Sequence, residues 1–320
     1  MTLDRKSAVF RIDIGGISGL GHASRSITLA QNLQRFGYKP EFVIHRNDDC
    51  RDYLINNGYQ PHLSSSKIGT EEDINFVSKI AGGKGANLIV IDNKFPEDLI
   101  LADYRASSYA LVNIQDRPIV CNADVIVNQN LSCDISAYPS DLAARVYTGL
   151  KTCIISKVWR DIRNSRKNAN FAGTPHILIT FGGEDPKNHS FQILNRFSRF
   201  LEGYHLDVVI GPSHPSPQSL NAIASQKDNV RLFSNLSNLS DLAAAAEMAI
   251  TAAGLTSLEL SSAGIPTAVV AIEPHQLDFM CCLVDQGLVF PLSENDQIQS
   301  DRLEEFCFSD ILRDKLAKSA

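Results

Sequence analysis

Short apolar runs rich in β-branched residues alternate with amphipathic segments along the whole chain. The first half contains VFRIDI, PEFVIH, NLIVID, YALVNI and DVIVNQ, and the second half contains HILITF, HLDVVIG, NVRLF, EMAITA and PTAVVAI. Strands that are separated by helices form parallel sheets covered by helices. The pattern therefore predicts two α/β domains in series, each a Rossmann-like unit.

A polar and basic segment, SKVWRDIRNSRKNANFAGTP, separates the two halves and ends in Gly173 and Pro175. This composition is typical of a linker between domains. We place the boundary near residue 170, which gives an N-terminal domain over 1–170 and a C-terminal domain over 171–320. The last residues, LEEFCFSDILRDKLAKSA, are predicted to form a C-terminal helix.

Each half opens with a strand that runs into glycines, as FRIDIGGISGLGH and as ILITFGGEDPKN. Such a turn holds an anion, because backbone N–H groups and the positive end of the helix dipole point into the loop. Two of these loops predict a binding cleft between the domains. Neither GxGxxG nor GxxxxGK[ST] occurs, so NAD-binding and P-loop functions are not expected.

His22 follows Gly19 and Gly21, where a helix is predicted to begin. The next residues place an apolar face on that helix, with Gly37 as its stop: Ile27, Ala30, Leu33 and Phe36. A neutral imidazole at a helix N-terminus can act as a base, because the dipole disfavours its protonation. A purely structural capping histidine is the alternative.

Three further charged residues near this loop stand in unusual places. Arg25 lies in the first helical turn, where a cation opposes the dipole, so an anion is expected beside it. Arg11 and Asp13 interrupt an apolar strand and face the same way. They form either a structural ion pair or part of the lining of the cleft.

The second half carries a comparable stretch, ITAAGLTSLELSSAGIPTAVVAIEPHQLDF. A strand enters a turn of small residues, and a short helix then ends at Gly264 and Pro266. Thr256 and Ser257 at the helix start can bind phosphate oxygens. Glu259 can accept hydrogen bonds from vicinal hydroxyls such as those of a ribose. Alternatively, Thr256 and Ser257 only cap the helix, and Glu259 only interacts with the helix dipole.

The composition of the chain restricts which binding partners and which cellular location are expected. The 320 residues carry a net charge of -6 without a long basic tract, so no nucleic-acid partner is expected. No signal peptide or membrane-spanning run is recognisable, which predicts a cytoplasmic protein. The seven cysteines show no CxxC or Cys/His spacing and are expected to be core thiols, not disulfides or metal ligands.

The motifs FRIDIGGISGLGHASRSITLA, LIVIDN, DVIVNQN, ILITFGGEDPKN and GLTSLELSSAGIPTAVVAIEPHQ occur in this order between about residues 9 and 292. Together they resemble the nucleotide-sugar hydrolase of pseudaminic acid biosynthesis and its spore coat polysaccharide relatives. That family is similar to the N-acetylglucosaminyltransferase of peptidoglycan synthesis. The resemblance implies the two-domain GT-B fold and a UDP-sugar substrate, with neither a metal nor a cofactor.

The resemblance also implies roles for particular residues. His22 would be the catalytic residue, Glu259 would hold the ribose, and Phe233 and Ser234 would contact the uracil. The remaining expected substrate-binding residues are Asp13, Gly19, Gly21, Arg25, Gly182, Gly183, Gly254, Leu255, Thr256, Ser257, His275 and Gln276. Water would attack the sugar, and UDP would leave.

Three positions depart from the hydrolase pattern. Asn93 and Lys94 stand where that family has His-Tyr, and His275 stands where it has asparagine, giving the HQ of the peptidoglycan transferase. Hydrolysis of the UDP-sugar is the function expected first, and a glycosyltransferase with a hydroxyl acceptor is the alternative. A transferase with a lipid acceptor would also require peripheral membrane contact. A non-catalytic nucleotide-sugar-binding protein is the third interpretation.

Overall fold

The computed structural model describes residues 6–12, 21–46, 48–92, 104, 109–167, 173–234, 236, 239–274, 276–294 and 297–319. The chain divides into two compact units, Met1–Ile155 and Ser156–Ala320. Each unit is built on a parallel β-sheet with helices. The predicted α/β class with two Rossmann-like domains is thus confirmed.

The first unit contains a sheet of seven strands in the order β3-β2-β1-β4-β5-β6-β7. The strands are β1 (Lys6–Ile12), β2 (Tyr38–His45), β3 (His62–Ser64), β4 (Ala86–Asp92), β5 (Ala110–Gln115), β6 (Val125–Asn128) and β7 (Arg145–Tyr147). The α-helices described in this unit are α1 (Gly21–Gln34), α2 (Asp48–Asn56) and α3 (Glu71–Lys84).

Alternation along β1 supplies both faces of this sheet with core residues. Phe10 and Ile12 pack with buried residues of α1 and α2, whereas Val9 packs on the face covered by α3. The predicted helix after the first glycine loop is present as α1, with Ile27 buried. It ends at Gln34, so the prediction that Phe36 lies on its apolar face was wrong, and Phe36 is exposed.

The second unit contains a sheet of six strands in the order β10-β9-β8-β11-β12-β13 and a small antiparallel hairpin. The strands are β8 (His176–Thr180), β9 (His205–Ile210), β10 (Val230–Ser234), β11 (Met248–Ala252), β12 (Thr267–Val270) and β13 (Phe290–Pro291), and the hairpin is β14 (Ser293–Glu294) and β15 (Gln297–Ile298). The helices are α4 (Lys157–Arg166), α5 (His189–Arg196), α6 (Pro217–Ala224), α7 (Ser240–Ala245), α8 (Leu255–Ser262), α9 (Gln276–Asp285), α10 (Ser300–Phe308) and α11 (Asp310–Ser319).

The segment predicted as a linker contains a structured helix of the second unit. Trp159 and Ile162 of α4 are buried, and α4 packs against α7 and α8. The units therefore divide between Ile155 and Ser156, before this helix, whereas the sequence placed the boundary near residue 170. The predicted C-terminal helix is two helices, α10 and α11, which are interrupted at Ser309.

In each sheet, the order in which consecutive strands are added changes direction at one strand. In the first sheet β1 lies between β2 and β4, and in the second sheet β8 lies between β9 and β11. The connections on the two sides of such a point leave in opposite directions, which opens a crevice at the carboxyl ends of the central strands. The carboxyl ends of β1 and β8 therefore lie at these crevices.

Arg11 lies in the middle of the first sheet, where it is completely buried. Its guanidinium Nε donates to Asp73 Oδ1 at 2.9 Å, and Asp73 also accepts from the hydroxyls of Ser64 and Tyr104. A structural ion pair is thus present at Arg11, with a partner other than the predicted Asp13. Its partner is Asp73, and Asp13 lies outside the described residues.

Asp73→Ala is expected to lower the free energy of unfolding by about 3–5 kcal/mol, because it leaves the Arg11 charge buried without its counter-charge. Denaturant unfolding followed by circular dichroism measures this difference. Asp52→Ala removes an exposed carboxylate that pairs with Arg51 and is the control, with an expected change below about 1 kcal/mol. Equal stabilities for the two variants would show that the Arg11–Asp73 pair contributes little.

Candidate functional site

His22 lies at the crevice of the first sheet. It is the second residue of α1, and only 8% of its surface is exposed. The predicted position of His22 at a helix start is therefore confirmed, and Gly21 forms the first residue of the helix. Asp13 and Gly19, which were predicted to contribute to substrate binding from the preceding loop, lie outside the described residues.

The carboxylate of Asp92 anchors this helix start to the sheet. Asp92 is the last residue of β4 and is completely buried. It accepts hydrogen bonds from Arg25 Nε at 2.7 Å and from Ser26 Oγ at 3.1 Å. His22 Nδ1 lies 2.8 Å from its Oδ1 atom. Three side chains of the first helical turns are thus held by one carboxylate.

The charge of Asp92 determines the orientation of the His22 ring. Burial disfavours the charged carboxylate, but Arg25 and His22 outweigh it and hold the pKa of Asp92 well below its ordinary range. Arg25 Nη2 also lies 3.0 Å from Nδ1, but its two hydrogens go to Asp92 Oδ1 and Asp116 Oδ2. A carboxylate can only accept, so we assign the ring hydrogen of His22 to Nδ1. The Nε2 atom then has a free lone pair, and it lies 3.8 Å from Asp116 Oδ2. This is the arrangement of a base that is oriented by a buried acid.

Arg25 bridges the two carboxylates. Its Nη1 donates to Asp116 Oδ1 at 2.5 Å, and its Nη2 donates to Asp92 Oδ1 at 2.5 Å. Burial opposes the charge of Arg25, but the two acids raise the pKa of Arg25 above its ordinary value. The anion that the sequence required beside Arg25 is therefore supplied by the protein. Its guanidinium is committed to these partners, which corrects the expectation that Arg25 binds substrate directly.

The three charged side chains leave the cluster with one excess negative charge, because Asp92 and Asp116 face a single guanidinium. Asp116 follows β5, and its side chain is 47% exposed. Of the two carboxylates, Asp116 is therefore the one that a ligand can reach.

Sequence reasoning did not identify Asp92 or Asp116 as site residues. Both stand at the carboxyl end of an apolar strand, in LIVID and in LVNIQD. That position was the available signal, because polar residues at the carboxyl ends of parallel strands collect at the edge where ligands bind. The neighbours Asn93 and Lys94, which distinguish this chain from the hydrolase pattern, lie outside the described residues.

Two loops of the second unit meet at its own crevice. Gly182 and Gly183 follow β8 and are exposed, and Gly254 to Ser257 follow β11 and begin α8. The Gln276 Nε2 atom lies 4.0 Å from the position that a Cβ on Gly254 would take. The structure thus brings Gln276 to the turn whose hydroxyls were predicted to bind phosphate oxygens.

The two hydroxyl groups at the start of α8 differ in whether they are free to donate a hydrogen bond to a ligand. Ser257 is completely buried, and its Oγ donates to Gly254 O at 2.6 Å. A hydroxyl has one hydrogen to donate, so that of Ser257 is not available for a phosphate, in contrast to the prediction. Thr256 and Leu255 remain partly exposed, and the Thr256 hydroxyl stays a candidate.

Glu259 lies on the second turn of α8, one position beyond the predicted first turn. Burial raises the pKa of Glu259 to about 7, and a hydrogen bond with the Trp159 side chain lowers it by a smaller amount. A carboxyl group with this pKa changes charge in the physiological range. Phe233 and Ser234 end β10 at the carboxyl edge of the same sheet, whereas His275 lies outside the described residues.

Two properties of the described part of the chain bear on partners. None of its helices combines the length and the apolar character that crossing a membrane requires. Within the same residues, no group of three or more His, Cys, Asp or Glu side chains is arranged to hold a metal ion.

The chain is similar in sequence to two curated proteins, and no family model matches it. An uncharacterised protein of Methanocaldococcus jannaschii is 24% identical over 276 residues, which are 82% of this chain and 54% of that protein. The chain thus spans about half the length of this relative. The spore coat polysaccharide biosynthesis protein SpsG of Bacillus subtilis is 20% identical over 299 residues, which are 91% of this chain and 85% of SpsG.

Solved structures share the fold at low sequence identity. MurG of Acinetobacter baumannii has a TM-score of 0.61 and 14% identity, with 98% of this chain and 93% of MurG covered. The calicheamicin glycosyltransferase CalG4 has a TM-score of 0.63 and 13% identity, with 99% and 94% covered. Anabaena HepE, in complex with UDP and glucose, has a TM-score of 0.61 and 12% identity, with 98% and 92% covered. The fold is therefore that of the GT-B glycosyltransferases.

Asp92→Asn is expected to change the tautomer of His22. Oδ2 accepts from two groups, Arg25 Nε and Ser26 Oγ, whereas Oδ1 accepts from Arg25 Nη2, which also donates to Asp116 Oδ2. With the amide oxygen at Oδ2 only the Nη2 contact is lost, and the amide NH₂ then faces His22 Nδ1. Nδ1 then accepts, and the hydrogen moves to Nε2. Nitrogen-15 NMR of the histidine side chains, assigned with His22→Gln, measures the tautomer. The same tautomer in both proteins would contradict the orienting role of Asp92.

Proposed function

We propose that this protein is a nucleotide-sugar hydrolase that releases UDP from a UDP-linked deoxy-amino sugar in surface-glycan biosynthesis. The observation that carries the proposal is the His22–Asp92 pair, in which a buried carboxylate fixes Nδ1–H and leaves Nε2 free as a base. The GT-B fold, and the similarity to a spore coat polysaccharide biosynthesis protein, support a nucleotide-sugar substrate. The complex of HepE with UDP and glucose supports UDP as the nucleotide.

In the proposed reaction, a water molecule attacks the anomeric carbon while its proton passes to His22 Nε2. The bond between that carbon and the diphosphate oxygen breaks, and its electron pair leaves with UDP. Asp92 and Asp116 stabilise the imidazolium that forms, because they flank its two ring nitrogens. Arg25 and Ser26 are positioning residues that hold Asp92.

In the second unit, we assign the nucleotide to the carboxyl edge of the sheet. Gly182, Gly183 and the turn from Gly254 to Thr256 would bind the diphosphate through N–H groups, where the α8 dipole also favours negative charge. This stabilisation of the leaving group requires no metal ion. Glu259 would accept from the ribose hydroxyls, with Gln276 beside the sugar and Phe233 and Ser234 beside the uracil.

The function is tested by incubating the protein with UDP-glucose, UDP-N-acetylglucosamine and UDP-linked deoxy-amino sugars, with and without lipid or peptide acceptors. Release of UDP from a deoxy-amino sugar in the absence of an acceptor is the expected result. Release that requires an acceptor would instead identify a glycosyltransferase, and binding without turnover would identify a nucleotide-sugar-binding protein.

His22→Ala is expected to lower kcat by at least about a thousandfold, because it removes the base. UDP binding, measured by calorimetry, should stay within about twofold of the wild type. His62→Ala, in the same unit but paired with Glu41 away from the site, is the control and should keep its activity. Full activity of His22→Ala would contradict the proposed mechanism.

UDP affinity is expected to fall as the pH decreases from 8 to 6. With a pKa of about 7, Glu259 is mostly charged at pH 8 and about one-tenth charged at pH 6, and the charged form is the better acceptor for two hydroxyls. The loss is therefore up to about tenfold. Calorimetric titrations with UDP across this range measure it.

Glu259→Gln separates this effect from the titration of UDP itself, which both proteins share. The variant should bind UDP more weakly at pH 8 and show a flatter pH dependence than the wild type. Identical pH profiles for the two proteins would exclude Glu259 from the ribose site.

A further inference from the structure

The loop that joins β8 to α5 has an unusual backbone. Asp185 and Asn188 have φ angles of 43° and 55°, and they are the non-glycine residues with positive φ among those that the structure describes. Gly182 in the same loop has φ 78°. Non-glycine residues persist in this region only where the surrounding contacts hold them, and such positions cluster at functional sites.

Asp185 is held in this conformation by hydrogen bonds to its carboxylate, which is almost completely buried. It accepts from the backbone N–H groups of His189 and Ser190, at 2.7 and 2.9 Å, at the start of α5. Burial disfavours the charge, but the His189 side chain, whose Nδ1 lies 3.5 Å from Oδ1, and the backbone N–H groups of Ser190 and His189 outweigh it and lower the pKa of Asp185. Asp185 therefore remains a carboxylate at neutral pH.

The second contact comes from the loop that follows β9. His214 is 8% exposed, and its Nδ1 accepts from the Ser216 N–H at 3.1 Å, so the hydrogen of the neutral ring is on Nε2. That Nε2 makes no hydrogen bond among the described residues, and it lies 3.5 Å from Asp185 Oδ2, within ion-pair distance. A buried imidazole and a buried carboxylate thus lie against each other where the loops after β8 and β9 meet.

The two loops also meet through their backbones. Ser213 N donates to Gly183 O at 2.9 Å. Gly211 packs so closely on the carbonyl oxygens of Gly182 and Gly183 that a Cβ at this position would collide with both. The loop after β9 therefore holds these two carbonyl groups on one side of the glycine loop.

The direction of these carbonyl groups determines that of the next N–H groups. In a trans peptide the N–H points opposite to the C=O, so the N–H groups of Gly183 and Glu184 are directed away from Gly211. Successive N–H groups with a common direction form an anion-binding concavity. Both glycines are exposed.

We infer that Asp185 and His214 are a positioning pair that fixes the Gly182–Glu184 backbone as a cradle for the diphosphate of UDP. This inference rests on the proposed function, which supplies the ligand. Neither side chain touches the ligand. The pair acts by holding the loop in its left-handed conformation against the loop that contains Gly211.

Asp185→Asn tests the pair, because asparagine tolerates a positive φ while it removes the charge and one of the two accepting oxygens. Calorimetry with UDP, inorganic pyrophosphate and uridine gives the readout. The variant should bind UDP and pyrophosphate at least about tenfold more weakly, with uridine binding within about twofold of the wild type. His214→Ala should act in the same direction, by about threefold or more.

Glu41→Gln is the matched control, since Glu41 is a buried acid paired with His62 in the first unit. It should leave all three affinities unchanged. A general loss of folding would weaken uridine and UDP binding alike, so the selective loss distinguishes a positioning role from a structural one.

Several results would overturn the inference. One is that both variants fold and bind UDP and pyrophosphate as tightly as the wild type does. Another is that the variants lose equal affinity for uridine and for UDP. The third is that both variants are unfolded under conditions where Glu41→Gln is folded. A wild-type protein that binds neither UDP nor pyrophosphate would overturn the pair and the proposed function together. Binding of pyrophosphate but not UDP, with the expected loss in the variants, would refute UDP as the substrate nucleotide and leave the pair supported.

Discussion

The buried charge of Asp92 is the constraint on which the first-unit site depends. A carboxylate without solvent must be hydrogen-bonded by protein groups, and Arg25, Ser26 and His22 meet this requirement from the first turns of α1. The same contacts attach the helix start to the end of β4, compensate a cation at the positive end of a helix dipole, and leave one ring nitrogen of His22 as a base. Positioning of the helix and preparation of the base are therefore one interaction.

Each unit builds its candidate site at the point where its strand order reverses, but the chemistry of the two sites differs. In the proposed mechanism, the first unit moves a proton with side chains of α1 and of the carboxyl ends of β4 and β5. The proposed nucleotide site of the second unit presents mainly backbone groups after β8 and β11, and the loops after β8 and β9 meet at the Ser213–Gly183 hydrogen bond and at the contact between Asp185 and His214. A binding function requires a fixed backbone, and an acid–base function requires fixed side-chain orientation.

The sequence predicted the long strands and the start of α1, because apolar β-branched runs and a glycine-terminated amphipathic pattern are local signals. β3 and β7, with three residues each, carry too little pattern to be recognised. Asp92 and Asp116 were missed, because only the strand order brings β4 and β5 beside the helix that follows β1. For the same reason the anion beside Arg25 was expected from a ligand, and the Ser257 hydroxyl was expected to be available although the turn itself occupies it.

Turnover in water enriched in oxygen-18 tests the central claim most directly. If His22 activates water against the anomeric carbon, mass spectrometry will find one labelled oxygen in the released sugar and none in UDP. Label in the terminal phosphate of UDP would show attack at phosphorus and contradict the account. Release of the sugar only as a conjugate with an acceptor, without label, would contradict hydrolysis.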